Sequence, residues 1–285
     1  MILVKTIRLL EELLENYRRA GINIAFVPTM GALHQGHISL INESKNAGSI
    51  TVCSIFVNPT QFNNSRDFEK YPVTIEKDID MLEKSGCEVL FMPSVAEMYP
   101  VDEQVVYYEL GHIESILEGK FRPGHFQGVC RIVDKLLNAV QPHDLYMGQK
   151  DYQQCMVISR MIELKKHNTR LRVCATVRET DGLAMSSRNM RLTAVERQQA
   201  LHIIKTLNNI SAALAPGDVS DLKKDARLYL ENAGFKVDYV EIADAVTLQP
   251  VNIWDGRQPL VALVAAFLNE VRLIDNLVLI NPQKA

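Results

Sequence analysis

The chain has no C-x-x-C pair. Its five cysteines, Cys53, Cys87, Cys130, Cys155 and Cys174, are scattered singly, most of them inside apolar segments. This reads as buried free thiols in a reducing compartment, and argues against a disulfide framework or a cysteine nucleophile. No apolar run approaches the roughly 20 residues that a membrane helix needs. Met1-Ile-Leu-Val-Lys5 runs straight into an amphipathic stretch with acidic residues, which is not the pattern of a secretory leader. The formal net charge is only −3, so no broad basic field invites nucleic acid. There is no internal repeat and no low-complexity tract. These absences leave a soluble, cytoplasmic globular protein with no membrane or nucleic-acid partner. A composition of 47% hydrophobic and 23% charged residues agrees with that class. The 285 residues suffice for one large or two ordinary domains.

What is present centres on one stretch, Phe26-Val-Pro-Thr-Met-Gly-Ala-Leu-His-Gln-Gly-His-Ile-Ser-Leu-Ile41. Ile22 to Val27 is apolar and β-branched, so it reads as a buried strand. Pro28 has no N–H and is expected to end the ladder. Gly31 and Gly36 let the backbone turn tightly and approach a ligand. A helix with Ile38 and Ile41 on one face follows. Strand, glycine-bearing turn and helix start make an anion site, since unpaired N–H groups and the helix dipole point the same way. His34 and His37 lie in that turn, and imidazole can donate to a phosphate oxygen.

Around this stretch, strand and helix alternate. Ile2 to Val4 is short and apolar. Thr6 caps a helix burying Ile7, Leu10, Leu13, Leu14 and Tyr17, and Gly21 ends it. Ile50–Val57, Glu88–Met92, Val105–Leu110, Leu145–Met147 and Arg170–Val177 read as strands. Helices are expected at about 74–85, 129–140 and 152–166. The pattern predicts an α/β domain over residues 1–177, a parallel sheet with helices on both faces. In such sheets ligands sit at the carboxyl ends of the strands. Thr29–His37, Asn58–Gln61 and Gly148–Asp151 are polar segments at such ends.

Beyond Val177 the pattern changes. Residues 179–191 read as a polar loop. Thr193 and Glu196 form a capping box for a helix to about Ala215, and Pro216-Gly217 breaks the chain. A second helix runs from Ser220 to near Gly234. Three strands follow, Val237–Ile242, Leu260–Phe267 and Val271–Ile280. Residues 178–285 are therefore expected to form a smaller α+β domain with an antiparallel sheet.

Five motifs occur in one order: Pro28-Thr-Met-Gly-Ala-Leu-His-Gln-Gly-His37, Phe56-Val-Asn-Pro-Thr-Gln-Phe62, Arg122-Pro-Gly-His-Phe-Gln-Gly128, Gly148-Gln-Lys-Asp-Tyr-Gln-Gln154 and Asp181-Gly-Leu-Ala-Met-Ser-Ser-Arg-Asn189. Together they resemble the pantothenate synthetase family, the ATP-dependent, AMP-forming pantoate–β-alanine ligases of the H-x-G-H nucleotidyltransferase superfamily. The resemblance runs from near residue 20 to Arg272-Leu-Ile-Asp-Asn276. It implies a Rossmann-like nucleotide- and pantoate-binding domain and a C-terminal lid domain. It implies ATP as substrate, Mg²⁺ as cofactor, pantoate and β-alanine as partners in reaction, and a homodimer. The implied chemistry is a pantoyl adenylate formed with loss of pyrophosphate, then attacked by the β-alanine amine with loss of AMP.

The same resemblance assigns residues. His34 and His37 hold the triphosphate, with His37 the proton donor. Lys150 bridges pantoate and phosphate oxygens. Gly148, Gln149 and Asp151 meet the nucleotide, with Gly148 and Asp151 at the ribose. Val177 meets adenine through its backbone. Met185, Ser186, Ser187 and Arg188 form the loop over the β- and γ-phosphates, while Met30, Gly31 and Gly36 line the nucleotide site. Met30 closes the pantoate pocket, and Gln61 and Gln154 hydrogen-bond pantoate, a task suited to amides that both donate and accept. Asp78 is the match to the Mg²⁺ ligand. His125 either positions the acyl group or holds its loop.

Three positions depart from the family pattern. Val73 follows Tyr71-Pro72 where arginine is usual, Arg131 replaces a small hydroxyl residue, and Ala175 replaces a proline. Two other readings compete. A transferase acting on a phosphorylated acceptor would want more cations than the neutral pair Gln61 and Gln154 supplies. A non-catalytic nucleotide-binding module would not need His34, His37, Lys150 and Arg188 together.

Overall fold

A computed structural model describes residues 1–61, 69, 71–101 and 104–279 of the chain. Phe62 of the second motif and Ile280 at the end of the last expected strand lie outside the described residues. The chain divides into two compact units. One comprises Met1–Gln149 with Gln154–Ala175, the other Lys150–Gln153 with Thr176–Ala285. The linear boundary expected after Val177 thus falls at Ala175, and the short segment around Lys150 groups with the later residues. Among the described residues no helix is long and apolar enough to cross a membrane.

The described residues of the first unit include six strands: β1 (Ile2–Val4), β2 (Ile24–Thr29), β3 (Ile50–Ile55), β4 (Val89–Phe91), β5 (Asp144–Gly148) and β6 (Arg170–Cys174). They form one sheet in the order β1-β4-β3-β2-β5-β6, with every pairing parallel. Strand order reverses direction between β2 and β5, the point at which such sheets open a crevice. β2 is buried almost throughout, as its unbroken apolar run requires. Pro28 does not end β2 on both sides. The register with β3 continues through Thr29, whose carbonyl accepts the Phe56 N–H at 3.0 Å. Alternate residues of a parallel strand face opposite neighbours, so the missing Pro28 donor faces β5, where pairing covers only Ala25 and Phe26.

Helix α1 (Ile7–Arg19) starts at Thr6, whose side chain accepts the Leu9 N–H, and buries Leu10 and Leu14. Helix α2 (Gln35–Asn46) follows β2. The helix Ile75–Ser85 stops at Gly86, which has a φ of +75° that suits glycine. The helix at His125–Val140 begins four residues earlier than its apolar face implies. The expected strand at Val105–Leu110 is absent, since residues 104–110 have no regular structure. A side chain takes the ladder's place there: Gln127 accepts the Tyr108 N–H and donates to the Tyr108 carbonyl. A single amide has satisfied the backbone that a strand partner would otherwise serve.

The described residues of the second unit include five strands: β7 (Gly217–Asp218), β8 (Lys236–Asp244), β9 (Ile253–Trp254), β10 (Leu260–Leu268) and β11 (Val271–Val278). Three of them form an antiparallel sheet in the order β11-β10-β8. β10 is buried along nearly its whole length and lies at the centre. The helices Ala194–Ala213 and Ser220–Asn232 pack into the same core, through Ala200, Ile203, Leu207, Ile210, Ala226 and Leu230. The capping box of Thr193 and Glu196 is present. β7 and β9 pair over two residues, and nothing in the sequence signals this, because such short strands show no period.

Candidate active site

The turn after β2 is held from beneath. Gly31 has a φ of +81°, and a Cβ there would crowd Asp78 and Ile55, so only glycine fits. The Asp78 carboxylate, 1% exposed, accepts the N–H of Ala32 with one oxygen and that of Leu33 with the other, each at 2.8 Å. Thr74 adds its hydroxyl at 3.0 Å. Thr29 accepts the Gly31 N–H and anchors to the Ser54 carbonyl.

The N–H groups of Gly31, Ala32 and Leu33 are thus satisfied from within the protein, and the Asp78 carboxylate that the resemblance matches to the Mg²⁺ ligand also holds the loop backbone. Among the described residues no group of three or more His, Cys, Asp or Glu could hold a metal. The described residues do not build an Mg²⁺ cage by themselves.

The imidazoles follow at the start of α2. His34 is the N-cap of α2, and its Nδ1 accepts the Gly36 N–H at 3.1 Å. His37, in the first turn, accepts the His34 N–H on its own Nδ1 at 3.3 Å. The rings lie 4.1 Å apart, centroid to centroid. With both Nδ1 atoms accepting, the neutral rings carry their protons on Nε2. Two Nε2–H donors thus stand side by side at a helix N-terminus. Gly36 lies within the helix rather than in the preceding turn, and its φ is not positive.

Gln61 closes a short 3-10 turn, Pro59–Gln61, after β3. Its Nε2 lies 2.9 Å from Met30 Sδ, which brings two of the expected pantoate contacts together. His125 Nδ1 pairs with the Gln61 carbonyl at 2.8 Å, and the residue is buried. Gly128 lets the helix His125–Val140 approach this turn, since a Cβ there would collide with the Thr60 carbonyl. Met30, Gly31, Ile55, Val73, Asp78 and Met92 line part of a mostly apolar cavity of about 270 Å³. Val73, the departure beside Tyr71-Pro72, is therefore a wall of the cavity that Met30 enters. Gln154 sits half-buried in the first turn of the helix Tyr152–Lys165.

Gly148 ends β5, and a 3-10 turn carries Gln149, Lys150 and Asp151. Lys150 Nζ lies 3.8 Å from Asp151, and the Lys150 carbonyl accepts from Asn276 Nδ2 at 2.8 Å, which ties this segment to β11. Arg178 makes a two-point ion pair with buried Asp275 at 2.6 and 3.0 Å. The Val177 carbonyl accepts the Met185 N–H, and Arg178 pairs with Ala184 as a bridge. The polar loop is thus an internally bonded hairpin up to residue 185. Ser186 caps the turn Ser187–Arg191 by accepting the Arg188 N–H, which leaves its hydroxyl proton for another acceptor. Ala175 is exposed and ends the first unit.

Burial pushes Cys53 well above the ordinary range and Cys87 up to about 12, while Cys174 rises to about 11. Thiols of that kind are poor nucleophiles near neutral pH. Asn58 and Tyr99 are site-supporting residues that pattern reading passes over. Asn58 lies inside a quoted motif without a role. Tyr99 carries no signal, because its contact with Asn58 spans 41 positions.

A parallel sheet with its polar groups gathered at the carboxyl ends of the strands, and paired histidines on the helix after the central strand, define a Rossmann-like α/β enzyme. A family profile described as pantoate-beta-alanine ligase matches residues 2–278. The chain belongs to the pantoate–β-alanine ligase family, whose members are ligases of pantothenate biosynthesis. It is 44% identical over 278 residues to the pantothenate synthetase of Bacteroides thetaiotaomicron, covering 97% of this chain and 98% of that one. The crystal structure of pantothenate synthetase from Thermus thermophilus superposes with a TM-score of 0.89 at 36% identity, covering 99% of this chain and all of that one. The pantoate-beta-alanine ligase of Francisella tularensis, complexed with beta-gamma ATP and beta-alanine, has a TM-score of 0.82 at 36% identity, covering 98% of each chain.

Proposed function

We propose that the protein condenses pantoate with β-alanine at the expense of ATP, through a pantoyl adenylate. The carboxylate oxygen attacks the α-phosphorus and pyrophosphate leaves. The β-alanine amine then attacks the acyl carbon, loses a proton, and AMP leaves. Oxide is a poor leaving group from a carboxylate, and the adenylate replaces it with a good one. The observation that carries this reading is the His34–His37 pair, two Nε2–H donors at a helix N-terminus. Donors of this kind suit the charge that grows on phosphoryl oxygens.

In this reading His37 donates toward the leaving pyrophosphate and His34 holds the triphosphate. Lys150 bridges the two reacting anions. Gly148, Gln149 and Asp151 receive the ribose side of ATP, Val177 receives adenine, and Met185, Ser186, Ser187 and Arg188 cover the outer phosphates as part of a lid domain. Gln61, Gln154 and Met30 receive pantoate. Mg²⁺ would travel with the triphosphate oxygens, in keeping with its preference for few protein ligands and retained waters. Five free cysteines fit a reducing cytoplasm. A homodimer is carried over from the family resemblance, and light scattering at micromolar concentration reads it directly.

The test is exchange of labelled pyrophosphate into ATP. It should require pantoate and Mg²⁺ and proceed without β-alanine. Exchange that appears only once β-alanine is added would refute a free-standing adenylate step.

A further inference from the structure

We propose that Tyr99 is a positioning residue for recognition of the acid substrate: it anchors the Asn58 amide in the orientation its backbone partners set and, through Asn58, holds Gln61 as a hydrogen-bond donor. The inference rests on the reading above in which Gln61 faces pantoate.

The starting point is a pair of backbone groups that act in one direction only. The Gly128 carbonyl can only accept, and it lies 3.1 Å from Asn58 Nδ2. The Thr60 N–H can only donate, and it lies 3.3 Å from Asn58 Oδ1. Between them they settle which way the Asn58 amide is turned. Asn58 Nδ2 also donates to Gln61 Oε1 at 3.1 Å. Gln61 therefore turns its carbonyl toward Asn58 and its Nε2 toward Met30 Sδ. A thioether is a weak acceptor, so that contact is readily exchanged for a substrate carboxylate or hydroxyl oxygen. An amide donor orients a carboxylate nucleophile without neutralising it as a cation would.

Tyr99 completes the network. Its hydroxyl donates to Asn58 Oδ1 at 2.7 Å, shorter than the bonds to the same oxygen from Thr60 Oγ1 at 3.0 Å and the Thr60 N–H at 3.3 Å, and Thr60 Oγ1 lies 3.3 Å from the phenol oxygen. Its ring packs on Phe56, with centroids 6.2 Å apart. The Arg131 guanidinium carbon stands 4.7 Å over that ring and Lys135 Nζ stands 5.5 Å from the same centroid. Cations over the face of a phenol hold the ring and draw on its electron density, which strengthens the O–H as a donor. Asn58 is 1% exposed, so water does not readily replace a lost Tyr99 bond. This gives Arg131, a departure from the family pattern, a task in this chain.

Steady-state kinetics on the parent, Tyr99→Phe, Gln61→Ala and the double variant test the inference. Loss of one such bond should raise KM for pantoate about fivefold in Tyr99→Phe, with kcat and KM for ATP held within about twofold. The double variant should match Gln61→Ala alone, since Tyr99 acts through Gln61. An unchanged KM for pantoate in Tyr99→Phe, or a double variant in which the two effects multiply, overturns the inference while the functional reading stands. Should Tyr99→Phe fail to fold, Arg131→Met leaves the hydroxyl in place and should raise KM for pantoate alone by about twofold; no rise overturns the inference. A parent that does not turn pantoate over fails the functional reading, and the inference falls with it.

Discussion

His37 accepts the backbone N–H of His34 on Nδ1 at 3.3 Å, so each histidine is both part of a helix cap and a donor. The two tasks are separable. Asparagine is a strong N-cap residue, so His34→Asn should keep helix stability within about 0.5 kcal/mol. It removes the imidazole donor, and pyrophosphate exchange should fall roughly a hundredfold. Thermal unfolding and the exchange rate, measured on one preparation, check both halves. Undiminished exchange would leave His34 with the cap alone.

Asp78 accepts two backbone N–H groups and the Thr74 hydroxyl in a buried setting. An asparagine there would offer one acceptor oxygen in place of two. Asp78→Asn should therefore destabilise the protein by about 2 kcal/mol. The Mg²⁺ concentration for half-maximal activity should not move. A large shift in that concentration with stability intact would return Asp78 to the metal.

Asp144 gives a pH signature. Burial pushes its carboxyl upward, but hydrogen bonds from Arg170 and Arg172 outweigh that and hold it below the ordinary carboxylate value. A group depressed in the folded state binds more protons when unfolded, so its contribution is present above the unfolded value of about 3.9 and is lost as pH falls through the folded value. Both arginines face solvent, so the contribution should be on the order of 1 kcal/mol. Urea unfolding of the parent and Asp144→Asn should show a constant gap above about pH 5 that closes on acidification. A gap that widens toward low pH would contradict the assignment.

Lys150 is the flexible cation expected to touch both reacting anions, and Asn276 holds its backbone. Lys150→Ala should cost the first half-reaction about 3 kcal/mol, or roughly a hundredfold. Single-turnover adenylate formation measures it. A loss under about threefold would make Lys150 a surface charge.

Much of this molecule is legible without its coordinates, for definite reasons. Strands such as β2 and β10 are buried on both faces and write continuous apolar runs. Helix ends carry local chemistry, as at Thr6, Gly86 and the Thr193–Glu196 box. The five motifs hold most of the candidate site residues. What cannot be read is long-range hydrogen bonding. The Tyr108 backbone pairs with a glutamine side chain instead of a strand. The Asp78 carboxylate reaches back 46 positions to Ala32. No local pattern encodes either.

The most direct measurement of the central claim follows oxygen. Pantoate labelled with oxygen-18 in its carboxylate, turned over with ATP, Mg²⁺ and β-alanine, should deliver one labelled oxygen to AMP, read by mass spectrometry, with unlabelled pyrophosphate beside it. Label in inorganic phosphate with ADP as the other product would contradict the adenylate account and point to an acyl phosphate.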